Sequence, residues 1–130
     1  LQDSGVVEFR VDNNGDATLA GALTQNSDVH AKASIRAVDP GSVLERVISL
    51  PISQWQYKDT PGVNHIGPMA QDFYAAFGLG TSEKAIATLD TSGVALAAIQ
   101  ALSAENAELK ARLDPDRVLS SALAERLLEA

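Results

Sequence analysis

Two side chains in this 130-residue sequence have the types and spacing for nucleophilic chemistry, Ser27 and Lys32. A serine becomes a nucleophile when a base takes its proton. A lysine is such a base when burial or neighbouring positive charge disfavours its ammonium. The pair does not share one helix face as i,i+4 residues do, so a turn or short loop would have to bring the two together. Spacing alone does not separate such a pair from chance proximity. The other candidates read more plainly. His30 and His65 are the only histidines; a zinc site needs at least three placed ligands, no His-x-x-x-His spacing exists, and no metal is expected. His65, beside Ile66-Gly67-Pro68, reads as structural. Gly78-Leu79-Gly80 resembles half of a dinucleotide fingerprint but follows a helix and lacks the third glycine. It reads as a helix stop, and no cofactor is expected. Trp55, Tyr57, Phe73, Tyr74 and Phe77 hold most of the aromatic mass. They read as packing between a strand and the following helix rather than as a ligand platform.

The elements that must position these residues fall into three regions. In residues 1–26, Val7, Phe9 and Val11 alternate with Glu8, Arg10 and Asp12, the period of a half-buried strand. Asn13-Asn14-Gly15-Asp16 is turn chemistry, and residues 17–23 suggest a return strand. An isolated hairpin is marginal in water, so this one needs a partner. Residues 27–91 are mixed. Ser42 is placed to cap a helix over 42–50, with Glu45 completing a capping box and Pro51 ending it. Residues 52–57 alternate as a strand, and Asp59-Thr60-Pro61-Gly62 is a turn. Pro68 opens a helix that runs through Phe77 and closes at Gly78. In residues 92–130, a helix over 92–113 carries Ile99, Leu102, Asn106, Leu109 and Leu113 at steps of 3 and 4, the seam of a coiled coil. Asn106 falls at an a position. Asp114 and Pro115 end this helix and cap a second, with Val118, Leu119, Ala122, Leu123, Arg126 and Leu127 along one stripe. The fold class is thus α+β: a short β-hairpin stalk, a small mixed α/β domain, and a long C-terminal helix forming a coiled coil plus a terminal helix.

Composition narrows the function. The formal charge is −7, with 45% hydrophobic residues and no cysteine. The acidic balance argues against nucleic acid, which needs a basic face, and against an anionic membrane surface. No apolar run approaches the roughly 20 residues that cross a bilayer. Without cysteine there are no disulfides, thiolate metal sites or cysteine nucleophiles. The charges are spread along the chain as on a solvated surface. The chain opens on Leu1 rather than Met, which reads as part of something longer.

Asn26-Ser27-Asp28-Val29-His30-Ala31-Lys32 resembles the Ser-Asp-x-x-x-Lys motif that opens the intramolecular chaperone auto-processing domain. That domain stands at the C-terminus of phage tailspikes, endosialidases and long tail fibres. Trp55-x-Tyr57-Lys58, followed by His65-Ile66-Gly67-Pro68-Met69-Ala70-Gln71-Asp72-Phe73, is similar to the core of that family. So is Asp90-x-x-Gly93-Val94 leading to Ala98-x-x-Ala101-Leu102. Two positions depart from the pattern: Val29 stands where a basic or polar residue is common, and Ala33 where an acidic one is.

The resemblance implies a homotrimer whose long helices form a three-stranded coiled coil. Its partners are two further copies of the chain and an upstream β-rich fibre segment, of which residues 1–26 would be the end and residues 27–91 the chaperone core. It implies a single self-cleavage at Asn26–Ser27, with Ser27 as nucleophile and Lys32 as general base. Asp28 is cast as positioning the turn, and Gln71 and Asp72 as supporting residues. The implied setting is a virion tail fibre or tailspike assembled in a bacterial cytoplasm. The alternatives are a non-cleaving trimerisation cap and a receptor-binding tip.

Overall fold

The computed structural model describes residues 2–3 and 5–130; Leu1 and Ser4 lie outside the described residues. The chain divides into two compact units. The first takes in Leu1–Ala37 and Gln54–Gly67, the second Val38–Ser53 and Pro68–Ala130.

In the first unit, β1 (Gln2–Asp3) and β2 (Val6–Val7) pair antiparallel, a short hairpin that the sequence pattern does not predict. The expected hairpin follows: β3 (Phe9–Val11) pairs antiparallel with β4 (Ala17–Leu19), Phe9 opposite Leu19 and Val11 opposite Ala17. Its turn is built as the residue types require. Asp12 Oδ1 accepts from the backbone N–H of Asn14 and of Asp16, both at 3.0 Å, and Gly15 takes φ 86°, which glycine adopts without steric cost. The return strand is shorter than the 17–23 expected. Phe9, Val11 and Leu19 all remain exposed. A 3₁₀ turn over Val29–Ala31 follows. Then β5 (Ser53–Trp55) and β6 (His65–Gly67) form a two-stranded sheet. Between them Gln56 ties the loop, its Nε2 donating to Asn64 Oδ1 and its Oε1 accepting from the Gly62 N–H. Trp55 stacks on His65 with ring centroids 4.8 Å apart, and Tyr57 meets both edge-on. His65 is thus a packing residue beside Trp55.

The second unit is helical: α1 (Pro40–Ser49), α2 (Ala70–Phe77), α3 (Thr88–Arg112) and α4 (Pro115–Glu129). Three boundaries differ from the sequence expectation. Helix α1 starts at Pro40, because Asp39, not Ser42, is its cap: Asp39 Oδ1 accepts from the Gly41 N–H at 3.1 Å. Proline fits the first helical position, where its missing N–H is not needed. Helix α2 starts at Ala70 rather than Pro68, with Met69 O accepting from the Phe73 N–H at 3.0 Å. Its end is as expected: Gly78 takes the left-handed conformation at φ 61° and its N–H bonds to Tyr74 O. Helix α3 starts four residues before Ser92. The Thr91 and Ser92 hydroxyls donate back to Thr88 O at 2.8 and 3.0 Å, which satisfies both hydroxyls inside the helix.

The core of this unit is small. Leu44 of α1 packs on Ala98 and Ala101 of α3, flanked by Val43 and Val47. Small residues on α3 let the helices approach closely, and Leu44 fills the space. Phe73 is buried and pairs with Phe77. Arg46 donates to Ala76 O at 3.1 Å, linking α1 to α2. Ring contacts join Trp55 and Tyr57 in the first unit, and Phe73 and Phe77 in the second. Asp114 caps α4 as expected, its side chain accepting from the Asp116 N–H at 3.0 Å.

Candidate functional site

The segment 26–32 is shaped by short polar side chains bonding to the backbone beside them. Asn26 Oδ1 accepts from the Asp28 N–H at 3.0 Å. Asp28 caps the 3₁₀ turn, its Oδ1 accepting from the His30 N–H and facing His30 Nδ1, both at 3.0 Å. Asp28 O accepts from Ala31, and Val29 O from Lys32. The chain thereby reverses within five residues and leaves Lys32 in an extended conformation. Lys32 Nζ then donates to Ser27 Oγ at 2.6 Å. The turn that spacing alone left open is present, and it joins these two side chains.

The electrostatics are local. The Asp28 carboxyl is held below its ordinary value, chiefly by the His30 backbone N–H and secondarily by the His30 ring. Ser27, Asp28, His30 and Lys32 are all exposed on the single chain. Two residues past Lys32, Ser34 takes φ 54°, a left-handed conformation that costs a non-glycine residue about 1 kcal/mol.

The other residues singled out in the sequence lie in the second unit. Gln71 and Asp72 occupy the first turn of α2, where a carboxylate suits the positive end of the helix dipole. Asp72 shares a cleft with Glu45 and Arg46 of α1. Ile99, Leu102, Leu109 and Leu113 are exposed along α3, with Asn106 among them. At 3.6 residues per turn this stripe lies about 90° round the helix from the Ala98–Ala101 face that meets α1. The apolar stripe of α4 is also exposed at Val118, Leu119, Leu123 and Leu127. Among the described residues, no group of three or more histidines and carboxylates could hold a metal ion. Nor, among the described residues, is any helix long and apolar enough to cross a membrane.

Sequence reasoning missed the bonds made by the Asn26 side chain and the His30 ring. The available signal was spacing: Asn26 and Asp28 each stand two residues before the N–H they bind, the Asx-turn relation.

Residues 27–78 match the family model of a peptidase family described as the chaperone of endosialidase. The match begins on Ser27, the serine that Lys32 contacts. Residues 27–78 belong to this family. No curated protein matches the chain. The chaperone-of-endosialidase segment thus runs from the Ser27 turn through the β5–β6 sheet to the glycine that closes α2. It takes in Ser27, Lys32, Gln71 and Asp72, and stops short of the long helix.

Proposed function

We propose that this chain is an intramolecular chaperone. It brings three copies together through α3, sets the register of a β-rich fibre segment upstream, and releases itself by one cut at Asn26–Ser27. The observation that carries the cleavage reading is the 2.6 Å contact between Lys32 Nζ and Ser27 Oγ, at the residue where the family match begins.

The chemistry follows from that contact. With Lys32 neutral, the same line carries the Ser27 hydroxyl proton to Nζ. Ser27 Oγ attacks the carbonyl carbon of Asn26, closing a five-membered ring through Cβ, Cα and N of Ser27. The C–N bond breaks as the Lys32 ammonium returns the proton to the departing amine, leaving Asn26 esterified to Ser27. Water then hydrolyses the ester, giving a carboxylate at Asn26, a free amino terminus at Ser27 and the restored hydroxyl. A lysine base needs its ammonium disfavoured by removal from water. Both side chains are exposed on one chain, so neighbouring copies must supply that removal. Cleavage would then report completed assembly.

The assembly half of the reading rests on what the single chain leaves uncovered. Apolar side chains face solvent along the Ile99–Leu113 stripe and on the β3–β4 hairpin. Strand pairing between chains is a slow, register-sensitive search. A coiled coil that forms first raises the effective concentration of the strands. Cutting afterwards removes the assembly aid and makes dissociation hard to reverse.

The test is the denatured mass of Ser27→Ala and Lys32→Ala beside their native mass. Each variant is expected to stay full length and to form trimers. A variant that is still cut at residue 27 would overturn the assignment of the pair. A non-cleaving cap is the reading left if the wild-type trimer is also uncut.

A further inference from the structure

We infer that Asn26 sets how fast this chain is cut: its side-chain carbonyl holds the peptide bond to Ser27 in the reactive turn, so cleavage is fastest with a short hydrogen-bond acceptor at this position. The inference rests on the self-cleavage reading above and adds a positioning group on the acyl side of the bond.

The bond in question lies inside a closed loop. Asn26 Oδ1 accepts from the Asp28 N–H at 3.0 Å. The ring so formed runs from the Asn26 side chain through the Asn26 carbonyl carbon, Ser27 and the Asp28 nitrogen, and therefore encloses the Asn26–Ser27 peptide. Its far side is fixed in turn. Asp28 is anchored by its own carboxylate on the His30 N–H, and Lys32 is anchored by its N–H on Val29 O. Asn26 and Lys32 are thus the two ends of one run of local hydrogen bonds, with Ser27 held between them.

The attack demands such a constraint. Ser27 Oγ reaches the carbonyl carbon of the preceding residue only if the torsions of both residues bring the hydroxyl to the carbonyl face. An unrestrained chain samples many torsions, and each restrained one raises the fraction of reactive geometry. Asparagine and aspartate suit this position because their carbonyl oxygen reaches the N–H two residues on. Leucine has nearly the same shape and lacks the acceptor. Asn26 does not touch the transferred proton and is a positioning residue.

The experiment compares wild type, Asn26→Leu and Asn26→Asp in the full chain. Cleavage is followed by denatured mass over time and trimer content by native mass. The expected result is wild-type cleavage, a fall of about five- to tenfold in rate for Asn26→Leu, as loss of one hydrogen bond gives, and recovery to within about threefold for Asn26→Asp. Trimer content is expected to be equal in all three. A general packing role would lower trimer content and would not be rescued by aspartate. Asn26→Leu cutting as fast as wild type, or Asn26→Asp as slow as Asn26→Leu, overturns this inference and leaves the Ser27–Lys32 reading intact. A wild-type trimer that stays uncut overturns both.

Discussion

Residues 26–32 and helix α3 are ordered by opposite means. The turn has no buried side chain; Asn26, Asp28 and His30 shape it by hydrogen bonds between residues two apart. Helix α3 is held on one side by apolar packing, Leu44 against Ala98 and Ala101, while a second apolar stripe beside that face is left to solvent. The candidate chemistry is therefore encoded locally, within seven consecutive positions, and the proposed assembly would draw on apolar surface that the single chain leaves exposed. A turn built this way forms without partners, and its lysine is exposed on the single chain. On the proposed reading, this difference is what would let cleavage wait for assembly.

The comparison breaks most readily at the uncovered stripe. Replacing Leu109 with Glu puts three carboxylates at the proposed seam and is expected to abolish the trimer by native mass. The Lys32–Ser27 contact in the separated chains should persist, and their cleavage should cease. Cleavage by the monomer would detach the chemistry from assembly. On the covered side, Leu44→Ala is expected to cost about 2–4 kcal/mol of stability, the range for a buried leucine partly backed by neighbours. Denaturant unfolding at fixed protein concentration measures it. Little change would mean that α1 and α3 are not held by this contact.

Smaller effects sharpen the picture. Asn106 is the polar member of the stripe, and a polar residue at an a position fixes register at some cost in stability. Asn106→Ile is expected to raise the melting temperature at fixed concentration, and a lowered one would show that the seam does not pass through residue 106. In the turn, the Asp28 carboxyl is held below its ordinary value. The stabilisation it gives is present above the usual aspartate range near pH ~4 and is lost as pH falls through the lowered value. An NMR titration of Asp28 in Ser27→Ala should show a midpoint below that range. His30→Ala should keep most of the lowering, because the backbone N–H is the larger cause. A midpoint in the ordinary range would contradict the turn geometry.

The two regions were also unequally legible in the sequence. Helix periodicity placed α3 and α4, since apolar positions repeat over many turns; the Asp114 cap and the Gly78 stop were equally readable from residue type. The start of α1 was misplaced because Asp39-Pro40 and Ser42-x-x-Glu45 are both sound start signals, and only the local backbone decides between them. The start of α3 was placed four residues late because its N-cap, Ala87, makes no side-chain cap bond, so residue type gives no start signal there. The Ser27–Lys32 contact was not legible from spacing, because a pair five apart meets only if a turn intervenes. The resemblance to the Ser-Asp-x-x-x-Lys motif supplied that turn, and the Asx spacing of Asn26 and Asp28 explains it. The short β1–β2 hairpin carries no alternation long enough to read.

The most direct test of the account is the denatured mass of the wild-type chain recovered as a native trimer. The account predicts a product beginning at Ser27, with the matching fragment ending at Asn26. A trimer composed only of uncut chains would contradict it.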